Sequence, residues 1–139
     1  MPLFVQHEAD AKLIRGQGYT DVRIMTGNTE FDGVRLTKTG GRHGTEEMYS
    51  KKPLDDALGE VMGVVFQAPN AKTIYIVGDT VWNAKVDDTL AKFKPDVMIL
   101  NTGEARMKGY TGSIIMGKDE FRMHTKPCPT LSSSLPMWT

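Results

Sequence analysis

The chain has 139 residues, a length that suits one domain with a single hydrophobic core. Its 17 basic and 17 acidic residues cancel, which argues against a nucleic-acid partner, and no apolar run approaches the roughly 20 residues of a membrane helix. Its single cysteine, Cys128, excludes an internal disulfide, and residues 1–5 lack the pattern of a signal peptide. We therefore predict a cytoplasmic protein with neither a membrane nor a nucleic-acid partner.

The first part of the chain predicts short strands that flank a helix. The pattern indicates a strand over residues 3–5, a helix over residues 7–16 and a strand over residues 21–25. Asp32 and Gly33 then predict a hairpin turn, with a half-buried strand beginning at Val34. A polar, glycine-rich loop is expected from residue 39 to about residue 52, and residues 61–67 are apolar again.

The most regular segment predicts a βαβ unit. Residues 73–77 are typical of a strand covered on both faces, and residues 96–100 form a second, buried strand. Between them, Val86, Leu90 and Phe93 share one face of a helix over about residues 85–94. A right-handed crossover makes the two strands parallel, so Asp79 and Asn101 should lie at the same edge of the sheet.

Asp79 and His43 each allow more than one interpretation from the residues alone. Asp79, directly after a strand and Gly78, is a helix cap, a turn residue or a ligand. His43, in the glycine-rich loop, is a surface side chain or a metal ligand.

Four segments together resemble the metallo-β-lactamase superfamily, in that family's order. They are FVQHEADAKLIRGQGYTDVRI, TGGRHGT, YIVGDTVW and KPDVMILNTGEARMKGYTGSIIMGKDEF, and the resemblance spans residues 3–123. It is strongest to the UlaG-like branch of metal-dependent hydrolases, the L-ascorbate-6-phosphate lactonase type. The resemblance implies an α/β protein with part of an αββα fold, a mixed β-sheet with flanking helices.

The resemblance also implies a metal site in which His43 and Asp79 are ligands. His43 corresponds to the third-motif ligand, and Asp79 to the carboxylate that bridges two metals. Zinc, manganese or iron suits such donors. Glu46, Glu47 and Glu104 lie nearby in sequence, but we expect them to face water.

The family's HxHxDH motif, which supplies most of the metal ligands, is missing. The three histidines of the chain, His7, His43 and His124, are far apart, and His124 is expected at the start of a helix. We therefore expect a truncated relative that binds a divalent metal weakly or not at all and is catalytically inactive alone. The alternative is a working hydrolase of lactones or phosphoesters with a reduced site at His43 and Asp79.

The last residues depart from the family pattern. Residues 125–139 contain three prolines and a serine run without periodicity, so we predict a domain over residues 1–124 and an irregular tail over residues 125–139. A frameshift is one explanation for this tail. If two bases are removed from one possible coding sequence of the tail, the new reading frame encodes the helix end, turn and apolar strand that the family has here.

Loss of half the fold would leave a sheet face without its partner. Residues 61–66, 74–77 and 97–100 supply that apolar face. Because monomers rarely expose apolar patches beyond a few hundred Å², we expect a homodimer or higher even oligomer built on the sheet face. The alternative is that the loop or the tail folds over the face within one chain.

Overall fold

The computed structural model describes residues 1–124, except for the side chains of Pro53, Asp55, Asp56 and His124. The predicted tail over residues 125–139, and with it the frameshift, lies outside the described residues. The elements are β1 Leu3–Val5, α1 Glu8–Gly16, β2 Val22–Ile24, β3 Asn28–Phe31, β4 Val34–Gly40, α2 Glu46–Tyr49, α3 Lys52–Leu58, β5 Met62–Gln67, β6 Ile74–Ile76, α4 Ala84–Phe93, β7 Val97–Ile99 and α5 Lys118–His124.

The strands form two sheets. The main sheet has the order β3-β4-β5-β6-β7, antiparallel as far as β6 and parallel between β6 and β7. β1 and β2 pair in parallel as a separate two-stranded sheet, joined by α1. The predicted α/β class, a mixed sheet with flanking helices, is confirmed.

Local sequence signals account for several element boundaries. Asp32 and Gly33 both have positive φ, 52° and 76°, as a two-residue hairpin turn between β3 and β4 requires. α1 begins after His7, whose Nδ1 accepts from the backbone N–H of Asp10. α4 ends at Phe93, and the next residue, Lys94, has a left-handed conformation and precedes Pro95. The predicted helices over residues 7–16 and 85–94 and the predicted hairpin turn at Asp32 and Gly33 are confirmed to within a residue or so.

The expected loop over residues 39–52 is more ordered than the sequence indicated. β4 runs to Gly40, α2 occupies Glu46–Tyr49, and α3 begins at Lys52. Helices of four and seven residues are too short to show the apolar periodicity by which longer helices are predicted. His124 is also placed differently, because α5 begins six residues earlier, at Lys118, so this histidine is not at the start of a helix.

One face of the main sheet carries the core. Val65, Tyr75 and Val77 are fully buried on this face, which we call the inner face. Trp82, Val86 from α4 and Met116 complete the cluster, and Leu90, Phe93 and Phe121 pack against it. α4 and α5 therefore lie over the inner face.

The opposite face, which we call the outer face, is only partly covered. Near β3, the rings of Phe4 and Phe31 meet edge to face at 5.9 Å. Farther along the sheet, Ile76, Val97 and Ile99 are 38%, 39% and 47% exposed. The predictions that residues 73–77 are covered on both faces and that residues 97–100 are buried are therefore wrong, because α4 and α5 cover the inner face. The separate expectation that these strands present an apolar face without its partner agrees with the exposure of Ile76, Val97 and Ile99.

Between residues 1 and 124, no helix combines the length and apolar character that crossing a membrane requires.

Candidate functional site

The βαβ unit brings Asp79 and Asn101 to the same edge of the sheet. β6 and β7 pair in register from Ile74↔Val97 to Ile76↔Ile99, and the N–H of Val77 extends the ladder to the carbonyl of Ile99 at 3.0 Å. Just beyond, Asn101 Nδ2 donates to Asp79 Oδ1 at 2.6 Å. The predicted proximity of the two residues is confirmed.

Asp79 does not cap a helix. α4 is capped by Asn83, whose side chain accepts from the N–H of Lys85 at 2.9 Å. Gly78 turns the chain ahead of Asp79 with a φ of 80°, and a Cβ at residue 78 would lie 2.6 Å from the carbonyl oxygen of Met62. The helix-cap interpretation is therefore wrong, and the exposed carboxylate stands at the edge of the sheet with one oxygen bound by Asn101.

Thr80 joins the loop of Asp79 to the loop of His43. The Thr80 side chain is fully buried, and its Oγ1 accepts from the N–H of Arg42 at 2.8 Å. The N–H of Val81 also donates to the carbonyl of Arg42 at 2.9 Å. These hydrogen bonds join residues that are at least 38 positions apart in sequence, and they fix the two loops side by side.

The imidazole of His43 is oriented by the backbone carbonyl at the end of α3. Its Nδ1 lies 2.8 Å from the carbonyl oxygen of Leu58. Because a carbonyl oxygen only accepts, Nδ1 carries the proton and Nε2 keeps the lone pair that a metal would use. Tyr49 holds the same loop, since its hydroxyl donates to the carbonyl of Gly59 at 2.8 Å and accepts from the N–H of His43 at 3.2 Å.

His43, Asp79 and Asn101 line one cleft of about 510 Å³. We call it the edge cleft, and its remaining walls come from α1 and from the chain around the start of β5. Asp10 and Glu60 also line it. Within the described residues, however, no group of three or more His, Cys, Asp or Glu side chains is arranged to hold a metal ion.

The donors in the edge cleft suit a divalent metal in kind but not in number. An imidazole with a free Nε2 and a carboxylate with one uncommitted oxygen are ordinary ligands for zinc, manganese or iron. Catalytic zinc sites usually have about three protein ligands. The described part of this chain therefore offers a partial donor set.

The three acidic residues that could have joined the site are used elsewhere. Glu46 forms an ion pair with Arg42, and Glu47 one with Lys51. Glu104 binds Arg106, and this hydrogen bond lowers the pKa of the Glu104 carboxyl below its ordinary value. The expectation that these side chains face water is confirmed for Glu46 and Glu47, which are 88% and 65% exposed.

Sequence reasoning missed the residues that support the site. Thr80 and Tyr49 hold the two loops, and the Leu58 carbonyl orients His43. A Tyr six residues after a His carries no recognisable spacing signal, and a backbone carbonyl carries none at all. Thr80 follows Asp79 directly, but its partner lies 38 residues away.

Comparison with known proteins gives related chains of about twice this length. No family model matches the chain. It is 36% identical over 127 residues to the UPF0173 protein YddR of Bacillus subtilis (strain 168), a match that covers 91% of this chain and 48% of that protein.

Two solved structures resemble the fold closely. One is the crystal structure of a possible metal-dependent hydrolase from Veillonella parvula DSM 2008, with 51% identity and a TM-score of 0.84. The other is an isothiocyanate hydrolase from Delia radicum gut bacteria, with 44% identity and a TM-score of 0.83. Each match covers 88% of this chain and 47% of the other. The chain is thus similar to an isothiocyanate hydrolase and to a protein described as a possible metal-dependent hydrolase, and it spans about half the length of each.

Proposed function

We propose that this chain carries part of a metal-dependent hydrolase centre of the metallo-β-lactamase type, in the UlaG-like branch, with His43 and Asp79 as its metal ligands. The observation that carries the proposal is that both side chains line the edge cleft although they lie 36 positions apart in sequence. The solved relatives, a possible metal-dependent hydrolase and an isothiocyanate hydrolase, support the hydrolase part of the proposal.

The chain's own residues would orient the two ligands. The Leu58 carbonyl holds Nδ1 of His43 and leaves Nε2 to the metal, while Asn101 fixes one oxygen of Asp79 and leaves the other. A bound divalent metal would supply Lewis-acid activation of water and of the bond to be cleaved. Thr80 joins the two loops, and Tyr49 ties the loop of His43 to Gly59, so that both ligands are held in place by the chain's own hydrogen bonds.

Alone, the chain is proposed to be catalytically inactive and to bind metal weakly. Two ligands fall short of the usual three, and the relatives contain about as much chain again as this one covers. Lactones, phosphodiesters and isothiocyanates, the last suggested by one relative, should therefore not be hydrolysed faster by this chain than by a His43→Ala variant.

Elemental mass spectrometry and these assays test the proposal together. The chain purified without added metal should hold far less than one zinc, manganese or iron per molecule, and activity should equal that of His43→Ala. One tightly held metal per chain, with hydrolysis that His43→Ala abolishes, would instead establish a working hydrolase with a reduced site.

The exposed half of the outer face is proposed to pack against a second copy of this chain. Its side chains from β6 and β7 are all aliphatic: Ile74, Ile76, Val97 and Ile99. A second copy has the right size to replace the part of the relatives that this chain does not match, since each solved relative is about twice as long as this chain. The zero net charge removes repulsion between copies, and two-fold pairing is the commonest way to close such a contact.

A further inference from the structure

A second, larger cleft of about 1490 Å³ runs beside β4. The pairing of β3 with β4 begins at Asn28↔Thr37, so the end of β4 extends beyond β3. We call the space along this free end the β4 cleft. Its other walls are the residues after β1, those around Gly59 and the start of α4. It adjoins the edge cleft, since Gln6, Glu60 and Val61 line both.

Unpaired buried polar atoms are concentrated at the β4 cleft. In the described residues, the side-chain atoms that are buried without a hydrogen-bond partner are Gln6 Oε1, Thr39 Oγ1, Arg42 Nε and Tyr75 Oη. All except Tyr75 belong to residues that line this cleft. Because an unpaired buried polar atom costs about 1–3 kcal/mol, such a cluster indicates that a polar ligand completes the bonding.

The charges at the β4 cleft favour an anion. Lys38, Arg42 and Lys85 line it, against the carboxylates of Glu46 and Glu60. Glu46 is paired with Arg42, but its side chain is 88% exposed, so its hold on the guanidinium is weakened by water. Lys38 Nζ donates to the carbonyl of Gln6 at 2.9 Å and keeps further protons to donate.

Gly40 lets Lys85 lie close to the end of β4. A Cβ at residue 40 would come within 2.9 Å of Lys85 Cδ and 3.3 Å of its Nζ. A side chain at position 40 would therefore displace the ammonium group from the cleft. Lys85 also stands in the first turn of α4, where the helix dipole adds a partial positive charge.

We propose that the β4 cleft binds a small oxyanion, a carboxylate or phosphate, that also carries a hydroxyl group. The oxyanion accepts hydrogen bonds from Arg42 Nε and the Lys85 ammonium, and the ligand hydroxyl donates to Gln6 Oε1. Thr39 Oγ1 can serve either role. This assignment does not depend on any metal at the edge cleft.

Isothermal titration calorimetry of the full chain in EDTA, at constant ionic strength, tests the assignment. The probes are glycerol 3-phosphate and glycerate, with glycerol as the uncharged comparison. We expect at least one of the two oxyanions to bind and glycerol not to bind. Binding of glycerol as strong as that of both oxyanions, or binding of none of the probes, would overturn the proposal.

Charge-matched variants separate the site from general attraction. Lys85→Gln should raise the Kd for the bound oxyanion about tenfold, the effect of losing one charged hydrogen bond. Lys72→Gln removes the same charge from an exposed loop position outside the cleft and should leave the Kd within about twofold of the unmodified chain. Glu46→Gln, which releases the Arg42 guanidinium, should lower the Kd. Equal effects of Lys85→Gln and Lys72→Gln would contradict a defined site.

Discussion

Asn101 Nδ2 donates to Asp79 Oδ1 at 2.6 Å, across the ends of two neighbouring parallel strands. The bond exists because β6 and β7 pair in parallel, so the residues that follow the two strands emerge at the same edge of the sheet. It leaves the second oxygen of Asp79 uncommitted at the edge cleft, which His43 lines from another loop. The crossover places 21 residues between Asp79 and Asn101 in sequence, yet it brings the amide of Asn101 into hydrogen-bond contact with the carboxylate of Asp79.

Two tyrosine hydroxyls, one half-buried with partners and one buried without a partner among the described residues, should respond differently to removal. Tyr49→Phe loses the bonds to His43 and Gly59, so unfolding free energy should fall by about 1 kcal/mol. Tyr75→Phe removes a hydroxyl that is buried without a partner among the described residues, so stability should stay equal or rise by up to about 1 kcal/mol. Urea unfolding followed by circular dichroism measures both. A loss of stability in Tyr75→Phe equal to that in Tyr49→Phe would contradict this difference.

Thr80→Val should destabilise the chain by about 2 kcal/mol. The change keeps the shape of the buried side chain but leaves the N–H of Arg42 without its acceptor and removes one of the two hydrogen bonds donated by the Asn83 amide. Thr29→Val, at a half-buried position of β3, is the matched control and should change stability by less than about 0.5 kcal/mol. Equal unfolding midpoints for the two variants would show that Thr80 does not hold the loops together.

The sequence could predict the elements that depend on local patterns. The helix after β1, the turn at Asp32 and Gly33, and the βαβ unit that ends at Asn101 all follow from spacing within a few residues or from one crossover. The placement of Asp79 at the sheet edge followed from the same unit.

Features that depend on distant contacts could not be predicted in the same way. An apolar strand such as β7 has the same composition whether one face is covered or both, so its residues alone could not predict the exposure of Val97 and Ile99, which was expected only from the family resemblance. The contact of Thr80 with Arg42 joins residues from separate loops, and no periodicity records it.

The dimer proposal predicts that a charge on the outer face separates the copies. The unmodified chain should give about twice its mass of 15.4 kDa by light scattering at micromolar concentration, and Val97→Lys should give a monomer. Tyr19→Lys, which places the same charge at a 53% exposed residue of the α1–β2 loop, should remain dimeric. A 15.4 kDa particle for the unmodified chain would end the dimer proposal.

Glu104 should titrate below its ordinary pKa of 4.5 because it accepts a hydrogen bond from Arg106. Since the folded pKa is the lower one, this pair stabilises the fold above the ordinary pKa, and the contribution disappears as pH falls through the folded pKa. Carboxyl chemical shifts from NMR report the titration. Arg106→Gln should return the midpoint toward 4.5, and an unchanged midpoint would contradict the assigned cause.

The central claim is that His43 and Asp79 form an incomplete metal site, and calorimetric titration of the metal-free chain with Zn²⁺ tests it most directly. We expect weak binding that His43→Ala and Asp79→Ala each abolish, with both variants folded by circular dichroism. His7→Asn should bind like the unmodified chain, because it removes an imidazole but keeps a side chain that can cap α1. Zn²⁺ binding that is the same in the unmodified chain and in both site variants would contradict the account.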